Sequence, residues 1–142
     1  MNIPELNIEE WLEVLEPFQQ ELIRNLLVEH SEEEAVQIWT EVAGPEYTAS
    51  FGGEDIKDYL KSFKSEFDKF ILGDDKYKDS IKELNEHATV TKFFIVAFLS
   101  SVLADSLGVA SGVVAPLIVL MLGSIGKMGL NAYRAMILNE EE

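Results

Sequence analysis

The chain has 142 residues, 26 acidic and 11 basic, for a net charge of -15, yet 47% of it is hydrophobic. The apolar share excludes a disordered acidic tail, the charge argues against a nucleic-acid-binding face, and the lack of cysteine excludes a disulfide scaffold, a thiolate zinc site and a cysteine nucleophile. The length suits one domain.

Charge and apolar residues occupy different parts of the chain. Residues 1–55 hold 14 acids and one base, Arg24, a net of -13. Residues 56–92 hold eight of each, and residues 93–142 hold four acids and two bases. The first residues are acidic where a secretory signal is basic, and they have no apolar centre, so they do not read as a signal peptide.

Asn7 with Glu10 makes a capping-box-like start, because both side chains can serve free amides of a first turn. Ile8, Trp11, Leu12, Leu15, Phe18, Leu22, Leu26 and Leu27 follow as one apolar stripe at helical spacing. Pro17 predicts a kink or restart within it. Ser31 with Glu34 opens a second helix with Ala35, Ile38, Trp39 and Val42 inward, stopped by Gly44 and Pro45. Residues 44–53 read as a loop.

A third helix carries an aromatic stripe of Ile56, Tyr59, Leu60, Phe63, Phe67, Phe70 and Ile71, and Gly73 ends it. A fourth, capped by Asp74 or Asp75, turns Tyr77, Ile81, Leu84 and Ala88 to one side. No segment alternates with period two, so strands are not expected.

Charge nearly vanishes after Thr89. Two apolar segments, roughly 91–107 and 113–135, are joined by a turn at Gly108, Ser111 and Gly112. Ser111 can cap the second, and Pro116 is tolerable in its first turn. Gly123, Gly126 and Gly129 recur every three residues, which permits close helix approach. Both segments are near the ~20 residues of a membrane span, and a hairpin with both termini cytoplasmic would satisfy the positive-inside rule. Against this, Lys127 would fall in or at the edge of the second span. The preceding helices also need an apolar partner. Pore-forming colicin domains and Bcl-2-type proteins are similar in architecture alone, and no residues carry over from either.

Candidate chemistry is sparse. A helical di-iron site pairs Glu and His three apart, but Leu27 and Leu84 precede His30 and His87 at that spacing. Both histidines read instead as groups at helix C-termini. There is no nucleophile elbow, P-loop or dinucleotide fingerprint. Ser50 reads as a loop serine, and the Tyr59–Phe70 stripe reads as core.

The expectation is therefore an all-α fold of about six helices, four of them amphipathic and packed around a C-terminal apolar hairpin. Residues 1–90 form the acidic amphipathic region, 91–138 the hairpin, and 139–142 an acidic tail, in one compact domain if the hairpin is buried in a soluble protein. The expected function is that of a small, bacterial-style, non-catalytic interaction or adaptor module in the cytoplasm, without cofactor or metal. Glu9, Glu13, Glu32, Glu33 and Glu34 are the candidate docking residues for a basic protein partner. Phe94, Phe98, Leu117, Leu120, Gly123 and Gly126 are expected to pack the hairpin, in the core, in a homo-oligomer or in a membrane. The alternative function is a membrane-inserting or membrane-spanning effector built on residues 91–135.

Overall fold

A computed structural model describes residues 3–43, 53–87 and 90–141, and among these every regular element is helical. The described residues form eight α-helices: α1 (Ile8–Leu12), α2 (Pro17–Glu29), α3 (Glu32–Ala43), α4 (Gly53–Leu72), α5 (Lys78–Glu86), α6 (Lys92–Leu107), α7 (Ser111–Met128) and α8 (Leu130–Glu141). A 3-10 turn, Asp75–Tyr77, precedes α5.

The all-α class stands, while the count of about six is corrected to eight at two breaks. The first stripe divides, α1 ending at Leu12 and α2 restarting with Pro17 in its first turn. Proline suits that position because its missing N–H has no intrahelical partner there. The second break is at Gly129, whose φ of +93° and ψ of 145° lie in a region open to glycine. The expected second arm of the hairpin, 113–135, is thus α7 plus the first turn and a half of α8.

Local capping follows the sequence in two places. The Asn7 side chain accepts from Glu10 N at 2.9 Å. At α3, Ser31 Oγ accepts from Glu34 N at 3.2 Å, and the Glu34 carboxylate accepts from Ser31 N and Oγ at 3.1 Å each. Ser31 hydrogen bonding, its backbone N–H first, holds the Glu34 carboxyl below the usual range. At α7 the reading differs: Ser111 is the first helical residue, Ala110 is the cap, and no side chain caps it. Pro116 lies in the second turn, not the first. The loop expected at 44–53 falls almost wholly outside the described residues, as does Ala88.

Helix α7 is the centre. It lies against α6, α3, α1 and α8. Ten of its residues are buried, including Leu117, Ile118, Val119, Leu120 and Leu122. Among the described residues it is the one helix long and apolar enough to cross a membrane. The other arm, α6, has 16 residues, short of the ~20 needed. Phe63, Phe67, Phe70 and Ile71 of α4 complete the core, as their stripe predicts. Tyr133 of α8 is buried edge-on to Phe67, at 6.3 Å and 88°.

The glycines of α7 admit the N-terminal segment. A β-carbon at Gly126 would collide with the Leu6 carbonyl oxygen, and one at Gly123 would meet Ile8 Cδ1 at 2.6 Å. Just beyond, the Glu5 carboxylate accepts from Leu130 N at 2.9 Å, serving a free amide of α8. Gly126 faces backbone, whereas Gly123 faces the tip of a flexible side chain. Gly126→Ala is therefore expected to destabilise by about 1–3 kcal/mol, the range for overpacking, and Gly123→Ala by less. Urea unfolding measures both; equal stability of Gly126→Ala and the parent would refute the close approach.

Candidate functional site

The five acids singled out for docking are all engaged within the chain. Glu9 receives Arg24 Nε at 3.0 and 2.9 Å on its two oxygens. Glu13 pairs with Lys92 across to α6. Glu32 is buried, with its carboxylate 2.8 Å from Lys127 Nζ. Glu33 pairs with Lys64 at 3.3 Å, and Glu34 closes the α3 cap. These contacts tie α1 to α2 and α6, and α3 to α4 and α7.

Other carboxylates nearby carry no such bond. Neither Glu21 nor Glu29 has a hydrogen bond or ion pair among the described residues, and Glu41 takes only Gln37 Nε2 at 3.4 Å. All three stand on α2 or α3.

Of these two helices, α3 packs on α7 and α2 lies outside it. α2 makes its main helix contact with α3 and buries Ile23 alone. The expected inward stripe is corrected here: Phe18 is 62% exposed, Leu22 50% and Val42 82%. Val28 is 81% exposed. Leu22, Leu26, Ile38, Trp39 and Val42 line a groove of about 280 Å³, with Asn25, Glu29 and His30 on its polar side. The cause is register. On α2 apolar residues occupy more than half the circumference, and only the arc around Ile23 can face inward.

His30 ends α2, its N–H bonded to Leu26 O at 3.0 Å, and its ring Nδ1 lies 3.7 Å from Glu34. His87 ends α5 in the same manner, with its ring centred 4.2 Å from that of Phe94. Both occupy the helix C-terminal positions read from the sequence. Among the described residues, no three His, Asp or Glu side chains gather as a metal would require.

The residues assigned to hairpin packing divide by arm. Leu117, Leu120 and Gly123 are buried, and Gly126 is half-buried beneath Leu6. Phe94 and Phe98 of α6 are half-buried and stack at 5.7 Å. Beside them Phe93 is 53% exposed.

A second polar centre went unnoticed in the sequence. Glu66, on the buried side of α4, accepts from Tyr77 OH at 2.6 Å, from Lys69 Nζ at 3.1 Å and from Lys76. Tyr77 OH also lies 2.9 Å from Ser106 Oγ. Tyr133 OH donates to Asp68 at 2.6 Å. Burial alone would raise the Glu66 carboxyl, but its bonds from Lys76, Tyr77 and Lys69 outweigh that and hold it at about 2. Burial first, and then Glu66, push Tyr77 up to about 12. Burial and Asp68 push Tyr133 well above the usual tyrosine range. Ser80, Ser101, Asp105, Ser106 and Ser111 border an open cleft of about 540 Å³ next to Tyr77. The sequence signal lay in Glu66 and Asp68, two acids interleaved with the buried phenylalanines of one helix.

Comparison with protein-family models, with curated proteins and with solved structures gives no match for this chain.

The Glu66 bonds set a pH response. A carboxyl held below its ordinary 4.5 stabilises the fold above that pH, and the contribution is lost as pH falls from about 4.5 toward 2. Glu66→Gln should cost about 1–3 kcal/mol at neutral pH. Its deficit against the parent should close over the same acid window. A deficit that is constant between pH 7 and pH 3 in thermal melts would contradict the assignment.

Proposed function

We propose that this protein is a non-catalytic interaction module of the cytoplasm that recruits a protein partner through the outer face of α2 and α3. The observation that carries this reading is the groove of Leu22, Leu26, Ile38, Trp39 and Val42, open to water, with Phe18 and Val28 also exposed on α2. Large apolar side chains gathered in one place on a small protein mark an interaction site more often than scattered ones do. The adaptor role follows from a division of labour. Helices α4, α6, α7 and α8 carry most of the core, so α2 can be spent on contact.

The acids first assigned to docking now have a different part in the reading. Glu9, Glu13, Glu32, Glu33 and Glu34 hold α1, α2 and α3 in place, and the contact itself falls to the apolar groove and to Glu21, Glu29 and Glu41.

Crosslinking checks the docking face. A photoreactive residue at position 28 should give a covalent adduct with a partner protein in cells, and one at position 83 on α5 should not. Adding Leu22→Glu and Val42→Glu should remove the adduct while leaving folding stability within about 0.5 kcal/mol per substitution, as for exposed sites. Adducts of equal yield from positions 28 and 83, or an adduct indifferent to both substitutions, would sink the reading.

Fractionation checks the compartment. The full chain should stay in the supernatant of a high-speed spin without detergent. Recovery only from carbonate-washed membranes would favour the second reading, in which α7, the one described helix of spanning length and hydropathy, enters a bilayer.

A further inference from the structure

The groove between α2 and α3 has an occupant of definite chemistry. We infer that it takes one face of a cationic amphipathic α-helix from a different protein, an inference that rests on the docking role proposed above.

Shape decides first. The groove, about 280 Å³, is open to solvent along one side and does not enclose a ligand, unlike a small-molecule site that buries most of its ligand. Its α2 wall runs from Leu22 to Glu29. Seven residues of helical rise cover about 10 Å, which matches about two turns of a bound helix. Among the described residues there is no strand, so a partner has no sheet edge to extend. The mode that an apolar groove between two helices fits is helix-in-groove, read by side chains at i, i+3, i+4 and i+7.

Charge decides the rest. From residue 16 to residue 43 the sequence holds seven glutamates and one arginine. That arginine, Arg24, is held by Glu9. Glu29 borders the groove itself, and Glu21 adjoins Leu22. Neither has an internal cation, and Glu41 stands next to Val42 with only an amide. A helix flanking its apolar face with Lys or Arg would pair with Glu29, the carboxylate that lines the groove, with Glu21 and Glu41 one residue away from groove-lining Leu22 and Val42. A second copy of this chain would bring another face of the same sign on a body of charge -15, so the complement is a different protein.

The test uses the full chain and three synthetic peptides of about twelve residues. One has Leu at i, i+3, i+4 and i+7 with Lys elsewhere. The second replaces every Lys with Glu, and the third replaces every Leu with Ser. Binding is followed by amide chemical shifts and by Trp39 fluorescence, since Trp39 lines the groove.

The Leu/Lys peptide is expected to bind with shifts confined to α2 and α3. Affinity should fall at least about tenfold with the Leu22→Glu, Val42→Glu protein, and also with either control peptide. It should weaken several-fold between about 0.05 and 0.5 M salt. Equal binding of the Leu/Lys and Leu/Glu peptides, both lost with the double variant, would overturn the cationic partner and leave the docking face standing. Equal binding of the Leu/Lys and Ser/Lys peptides would overturn helix-in-groove docking in favour of diffuse charge attraction. Concentration-dependent dimerisation abolished by the double variant would assign the groove to a second copy and overturn the inference. Binding unaffected by the double variant would overturn this inference and the docking role together.

Discussion

The fold is organised by the need to hide α7. Eighteen residues with one charge, Lys127, cannot face water around their circumference at tolerable cost. Four other helices close over it, and each does so by a different means. α6 covers it with its own apolar side. α3 contributes Ala35, Val36 and Trp39. α8 turns back at Gly129. The N-terminal segment and α1 approach over Gly126 and Gly123, and at Gly126 a larger residue would collide with the Leu6 backbone. Once α7 is enclosed, little freedom remains in where the other elements lie.

Charge then fixes the outer layer. The N-terminal third is intensely acidic, and a shell of like charges would repel itself. The molecule answers by spending its few cations as ties. Arg24, Lys64, Lys92 and Lys127 each hold one glutamate, and between them they connect α1, α2, α3, α4, α6 and α7. Three of these pairs are largely exposed, so their worth in stability is small. Their consequence for recognition is larger. They neutralise four of the acids and leave others among the described residues without a cation, among them Glu29, which lines the apolar groove, and Glu21 and Glu41 on the same two helices.

The two polar centres follow opposite rules. Around Glu66 every donor is supplied internally, as a buried carboxylate requires, and the site ties α4 to the turn before α5 and to the end of α6. Beside the α2–α3 groove the carboxylates are solvated, where leaving them unpaired costs little. A partner that covered the groove would change that condition and would have to bring its own cations.

Local features were legible from the sequence wherever a few neighbouring residues decide them. Asn7, the Ser31–Glu34 box, the restart at Pro17, the stop at Gly73 and the aromatic core stripe of α4 all depend on atoms within a turn or two. So did the helical class, since periodicity near 3.6 recurs and period two does not. The uncharged hairpin was visible as composition, and its need for cover followed at once. Tertiary structure alone decided the rest. Gly129 sits in a run of regularly spaced glycines that a continuous helix could also carry, and at the break Glu5, distant in sequence, receives the first amide of α8. On α2 the apolar residues span too wide an arc for periodicity to select a face, so packing in the folded chain buried Ile23 and left Phe18 and Leu22 outside. The acids that looked free found cations in distant helices, which no local pattern encodes. The sequence thus determined that one part of this protein is strongly acidic and another must be hidden; packing determined which acids and which apolar side chains were left over to meet a partner.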